Sequence, residues 1–386
     1  GLLANDITDP QQVHQLVSFF AWTAWGSAAQ RPGHDYSYSN NWPAEKNVGN
    51  SPTADMVLWS ALSLLVLIGG IGVMFAIYGR WSARIGWHAS DAPAILFVPP
   101  ARVGLTRSQR VTAWFWAAIS ALFLLQTIVG AAAEHYRADL TSFFGFDLAG
   151  WFPYNLARTW HVQLSLLWTA ASFLAGGIFL APFISGREPR HQSRWVGVLF
   201  VAVCVVVFGS LGGEMLSIYG VSWAKGPLLG QQWEYLDLPR IFQAALTGGM
   251  FLWVFIIVRA IRGRLRTESH GNLPWVFFFS ALSIPAFYAV GMLAGTTTQI
   301  SVAEYWRFWV VHLWVEDFLE LFTTVMVAYI FVMLGVVRER VALGIIYMDV
   351  ILYSVGGVLG TMHHVYFSGT PSSNMAVGAV FSAAEV

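Results

Sequence analysis

The run His312-Leu313-Trp314-Val315-Glu316-Asp317-Phe318-Leu319-Glu320 sets one imidazole and three carboxylates into nine residues of an otherwise apolar stretch. On an α-helix His312, Glu316 and Glu320 are spaced i, i+4 and i+8 and share one face, while Asp317 points about 100° away. A second apolar stretch ends on the adjacent pair His363-His364. Together, His312, His363, His364 and Glu316 offer three imidazoles and one carboxylate. That mixed nitrogen and oxygen set suits iron better than copper, because a hard carboxylate is a poor ligand for Cu(I). The same residues also fit a buried polar network between helices. A further histidine, His161 in Arg158-Thr159-Trp160-His161-Val162-Gln163-Leu164, opens another apolar stretch. Beside a metal site at the same depth it is a candidate axial ligand of a b-type haem. By itself it also fits a helix cap or an interfacial residue.

The elements that must position these groups are membrane helices. The chain has 386 residues, 56% of them hydrophobic and only 11% charged. A soluble domain carries about 25% charged residues, so a cytosolic protein and a disordered tail are excluded. Lys and Arg together number 21, as do Asp and Glu, so the basic surplus that nucleic-acid binding requires is missing. The 19 Trp and 28 Phe suit lipid-facing and interfacial surfaces. A bilayer crossing takes about 20 apolar residues. Nine stretches approach this: roughly 57–79, 111–134, 160–185, 195–217, 240–262, 273–297, 306–335, 341–362 and one from about 374 that stops too soon to cross. Fold class is therefore all-α, a polytopic transmembrane helix bundle. The arginines at 80, 84, 102, 107 and 110, at 187, 190 and 194, at 259, 262, 264 and 266, and at 338 and 340 alternate with arginine-poor loops. The positive-inside rule places the arginine-rich loops in the cytoplasm and residues 1–56 outside. The domains expected are 1–56, the end of an outer hydrophilic domain, and 57–386, the membrane bundle.

This topology brings His161, His312, His363 and His364 to the outer side. At about 1.5 Å rise per residue all four lie within roughly 10 Å of one depth. Ionisable groups inside a membrane are costly and default to function. His14, His34, His88, His191 and His270 read instead as solvated loop histidines. Cys204 is the single cysteine, so an internal disulfide is excluded, and no C-x-x-C-H motif for attached haem is present. The paired glycines Gly69-Gly70 and Gly212-Gly213 fall inside helices and read as packing contacts; there is no glycine-rich phosphate loop, internal repeat or low-complexity tract. The chain opens on Gly1 with no basic leader, and a cut at both ends is expected.

At these residues the sequence resembles the haem-copper oxidase superfamily, and within it the quinol-dependent nitric oxide reductases. The resemblance runs through SFFAWTAW, RPG, YSYSNNWPAEKNVGN, FPYNLARTWHVQL, GQQWEYLDLP, HLWVEDFLELFTT, GTMHHVYFSGTP and GAVFSAAEV. It implies reduction of nitric oxide to nitrous oxide with electrons from membrane quinol. His161 is implied as an axial ligand of the low-spin haem b. His312, His363 and His364, with Glu316, are implied as ligands of a non-haem iron facing a high-spin haem b3. Glu320 and Glu385 match two further glutamates near the active site, in proton delivery or in tuning the iron. Glu234 resembles a calcium-binding glutamate, with Asp237 where a second acid is kept. The remaining haem ligands are expected well beyond His364, past Val386. Oxygen reductases of the superfamily carry a tyrosine where Glu316 stands, which favours nitric oxide over dioxygen as substrate.

His135 and Asp139, spaced i and i+4 at the outer face, are candidates for the quinol site; an interfacial histidine beside a loop acid is the competing reading. The implied setting is a bacterial inner membrane, multi-pass, with residues 1–56 on the periplasmic side and a homodimer allowed. Two other readings stay open: an oxygen-reducing relative, and a membrane transporter with a buried His/Glu relay and no haem.

Overall fold

The computed structural model describes all residues except 1–8, 42–46, 48, 87–103, 139–141, 144, 231–237, 269–271, 296, 366–369 and 385–386. The described chain is almost wholly helical, as lipid requires: without water, every backbone N–H and C=O must be satisfied within its own segment. The helices are α1 (Pro10–Ala28), α2 (Ala54–Ile85), α3 (Arg107–Ala138), α4 (Tyr154–Ser185), α5 (Gln192–Ile218), α6 (Arg240–Thr267) and α7 (Leu273–Gly291). A two-stranded hairpin, β1 (Ser142–Phe143) and β2 (Phe146–Asp147), joins α3 to α4 in register Ser142↔Asp147. Gly145 turns it at φ 85°.

Beyond α7 the helices are not uniform. Helix α8 (Ile300–Phe308) runs into a π-helix, Trp309–Leu319, which continues as α9 (Glu320–Met333). Then α10 (Glu339–Leu352) passes into a second π-segment, Tyr353–Gly357, one α-turn, Val358–Gly360, and a 3-10 turn, Thr361–His364. A last helix, α11, covers Ser372–Ala383.

Among the described residues, seven helical stretches are long and apolar enough to cross a membrane: Ala54–Arg84, Arg107–Tyr136, Tyr154–Ser185, Gln192–Ile218, Arg240–Thr267, Leu273–Gly291 and Glu339–His364. The protein is a multi-pass membrane protein. The stretch expected over 306–335 is helical but falls outside this set. It carries Arg307, Glu316, Asp317 and Glu320, and its backbone changes pitch twice. The ninth stretch is α11, with 12 residues too short to cross. His161, expected to open its helix, stands about two turns inside α4, which starts at Tyr154.

Two compact units form, each from separated stretches. One comprises residues 1–82, 297–313 and 349–386; the other 83–296 and 314–348. In the second unit α3 packs on α4 and α5, α6 on α4, α5 and α7, and α9 on α7 and α4. Its centre is aromatic. Trp253 and Phe322 meet edge to face at 5.3 Å, and Phe277 lies 5.3 Å from Phe322. Trp253 is fully buried, so its indole N–H needs an acceptor, and it donates to the Leu174 carbonyl at 3.1 Å. Gly177, one turn further along α4, is what admits this ring: a Cβ there would lie 2.8 Å from Trp253 and 3.2 Å from Phe322. In the first unit α2 exposes Leu58, Leu65 and Phe75, apolar side chains suited to hydrocarbon.

Replacing Gly177 by Leu is expected to overpack this centre and cost about 1–3 kcal/mol. Thermal unfolding of the detergent-purified protein checks this, and an unchanged midpoint contradicts the close packing.

Candidate metal centre

Both π-segments lie beside the histidines, and they explain each other. In a π-helix the hydrogen bonds run from i to i+5, and such irregular turns cluster at functional sites. His312 sits inside the first π-segment, and Gly357 is the last residue of the second. The fully buried His312 points its Nε2 at the Gly357 carbonyl, 2.9 Å away. A carbonyl only accepts, so Nε2 carries the proton and Nδ1 keeps its lone pair. Thr361 donates its hydroxyl to the same carbonyl at 3.0 Å. One backbone oxygen thus fixes the His312 tautomer and ties the turn that carries His363 and His364.

The lone pair of His312 Nδ1 faces His364 Nε2 at 3.1 Å. Ring centroids stand 5.0 Å apart for His312 and His363, 4.9 Å for His312 and His364, and 4.1 Å for His363 and His364. Phe308, the last residue of α8, stacks on the His364 ring at 5.0 Å and 19° and fixes its plane. Glu316 lies four residues on from His312 in the same π-helix. One ligand atom from each of His312, Glu316, His363 and His364 lies within 4.8 Å of the others. Ligand atoms at about 2.1 Å from one ion are separated by roughly 3–4.2 Å, cis to trans. The 3.1 Å pair falls in that range. Three imidazole nitrogens, one of them set by an outer hydrogen bond, and one carboxylate oxygen fit a divalent ion.

Glu316 joins the set as expected from the sequence; Glu320 does not, although angular spacing puts it on the same face. It begins α9 and is exposed. Eight residues, nearly two turns of the helix, separate it from His312. Asp317 is buried on another side.

His161 belongs to the second unit. Its Nδ1 donates to the Gln126 carbonyl of α3 at 3.1 Å, which leaves Nε2 with its lone pair, the arrangement an axial haem ligand needs. Gly130, one turn further along α3, makes room for the ring: a Cβ would lie 2.5 Å from it. His135 is half-buried near the end of α3. Asp139, Glu234, Asp237 and Glu385 lie outside the described residues.

Several contributors escape sequence reasoning. The Gly357 carbonyl, Thr361, Phe308, Gly130 and the Gln126 carbonyl act through backbone groups, missing side chains or ring faces, which side-chain type does not advertise. The one available signal was the glycine-rich run Val355-Gly356-Gly357-Val358-Leu359-Gly360 before the histidine pair.

Residues 110–386 match the family described as Cytochrome C and Quinol oxidase polypeptide I. Residues 1–44 match the cytochrome c-like domain of the nitric oxide reductase NorB polypeptide. Among curated proteins, the NorB polypeptide of the nitric oxide reductase from Stutzerimonas stutzeri is 24% identical over 239 residues. That alignment covers 60% of this chain and 48% of the relative. The chain thus spans about half the length of that relative.

Replacing His364 by alanine is expected to weaken metal binding by more than the roughly 10–100-fold typical of outer-shell changes. Chelator competition with Fe(II) on the purified protein measures it. In the other unit, Gly130→Val is expected to displace His161 and lower the bound haem, read from the reduced-minus-oxidised spectrum.

Proposed function

From the premise that the chain belongs to the Cytochrome C and Quinol oxidase polypeptide I family, within the haem-copper oxidase superfamily, we propose that this protein reduces nitric oxide to nitrous oxide. Its centre would pair a haem b3 with a non-haem iron held by His312, Glu316, His363 and His364, and the electrons would come from membrane quinol. As an oxidoreductase family this excludes the transporter reading. The observation that carries the substrate assignment is Glu316, whose carboxylate converges with three imidazoles. A hard oxygen ligand favours iron and stabilises its ferric state, whereas an oxygen-reducing relative is expected to carry a tyrosine there. The similarity to a curated nitric oxide reductase polypeptide supports the same reading.

Two NO, two protons and two electrons give N2O and water. Bound iron supplies the Lewis acidity and electrons for this coupling. The protein supplies geometry and protons. The Gly357 carbonyl holds His312 in the tautomer that keeps the lone pair on Nδ1, turned toward the other ligands. Phe308 holds His364 in plane. Glu316 contributes negative charge where the metal is held. Glu320, two turns along the helix and exposed, carries protons toward the centre, with Glu385 assisting. His161 holds the low-spin haem b, and the Gln126 carbonyl orients it. His135 and Asp139 take the quinol protons, and Glu234 binds calcium. The setting is the bacterial inner membrane, with residues 1–56 on the periplasmic side.

Glu316→Gln is expected to lower NO consumption at least ~100-fold, about 3 kcal/mol of barrier, while the low-spin haem spectrum persists. An NO electrode with quinol as donor measures the rate; turnover at the wild-type rate removes Glu316 from the mechanism. Metal analysis of the full-length protein is expected to return iron in excess of haem and no copper. Copper, with O2 consumed faster than NO, moves the assignment to an oxygen reductase.

A further inference from the structure

The outer segment is fastened to the start of α11, within the same unit, by a polar clamp that no part of the mechanism above uses. Ser37, Ser39, Asn40, Asn41 and Asn50 are all buried, none more than 5% exposed. Asn40 and Asn41 both adopt left-handed backbone, φ 56° and 59°, a conformation asparagine tolerates better than most side chains. The two asparagines then do different work. Asn41 braces the segment internally: its amide donates to the Asp35 and Ser51 carbonyls and accepts from the Ser37 N–H. Asn40 reaches out of the segment. Its Nδ2 donates to the Thr370 carbonyl at 3.0 Å and meets Met375 Sδ at 2.9 Å.

Arg31 grips the same oxygen. Its Nη2 donates to Thr370 at 2.9 Å and to Tyr38 at 3.0 Å, while its Nε donates to Ser37 at 3.1 Å. Tyr36 and Tyr38 flank the guanidinium at 5.3 and 5.5 Å. The planar fork, with fixed donors, matches three carbonyls at once, which a lysine ammonium on a flexible stem does not. Thr370 and Pro371 lead directly into α11, and Met375 is one turn inside it. Helix α11 in turn packs on the 3-10 turn of the histidines. The contact is backbone-close: a Cβ at Gly378 would lie 2.6 Å from the His363 nitrogen.

We propose that Arg31 and Asn40 are positioning residues for the metal centre: they anchor the start of α11 to the outer segment, and α11, through Gly378, sets where the His363-His364 turn lies. The inference rests on the metal reading above. It gives the outer segment a mechanical role at the ligands, separate from any role in electron delivery.

The test compares Arg31→Met, Arg31→Lys and Asn40→Gly with Asn41→Gly in the full-length, detergent-purified protein. Glycine keeps the left-handed backbone at both asparagine positions. Asn41→Gly loosens the same segment without touching Thr370 or α11. Two readouts are used: hydrogen exchange of the amides in 361–364 and 372–383, and Fe(II) affinity by chelator competition. Arg31→Met and Asn40→Gly are expected to speed exchange in both stretches about 10-fold. They are also expected to weaken Fe(II) binding by roughly the 10–100-fold of an outer-shell loss, with the haem spectrum unchanged. Arg31→Lys falls between these and wild type, and Asn41→Gly stays near wild type. Unchanged exchange in Arg31→Met and Asn40→Gly overturns the clamp, as does an equal change in Asn41→Gly. Should wild-type protein bind no Fe(II), the metal reading fails and the exchange data alone decide the clamp.

Discussion

The hydrogen bond from His312 Nε2 to the Gly357 carbonyl is the constraint on which the metal centre depends. A buried imidazole needs a partner at both nitrogens. Committing one to a backbone oxygen turns the other toward the space shared with His363 and His364. The helices carrying these groups leave α geometry at the contact: His312 lies in one π-segment and Gly357 closes the other. The second π-segment ends at Gly357, whose oxygen accepts both His312 and Thr361.

The same device recurs in the second unit with different parts. His161 donates to the Gln126 carbonyl, and Gly130 clears the room for its ring. In both places a backbone carbonyl orients a histidine, so that one nitrogen is left for a metal. Lipid offers no driving force for apolar side chains to associate, so close backbone approach at small residues carries much of the packing. The contact of Gly177 with Trp253 and of Gly378 with the His363 backbone belongs to that pattern. A methyl group at Gly130 or Gly378 meets a histidine directly.

The polar groups gathered here are expensive inside a membrane, and their cost constrains what the site does. The three imidazoles stand with ring centroids 4.1–5.0 Å apart. A divalent cation among them satisfies their lone pairs and the Glu316 carboxylate at once. The histidine pair is itself held by α11, which is pinned at its start through Thr370 and pressed at its middle against His363. Ligand geometry is therefore shared between two irregular helices and the outer segment.

Composition and spacing by themselves determined that this is an all-α membrane protein, where its helices run to within a few residues, and which four residues meet. Apolar length dictates a helix in lipid, and His312 with Glu316 at four residues' spacing stay on one face in an α- or a π-helix alike. Family motifs added His161. What the tertiary structure decided lies in groups that have no side-chain signature. Pitch is one: Trp309–Leu319 reads as α-helix by every local rule and folds as a π-helix. The tautomers of His312 and His161 are another, since a partner distant in sequence selects which nitrogen keeps its lone pair. Glu320 is the third: angular periodicity placed it with Glu316, but rise along the axis separates them, and only the converging partners show how far along the helix the site reaches. The division of labour between Asn40 and Asn41 is of the same kind. Two identical neighbours differ only in what the folded chain brings to them.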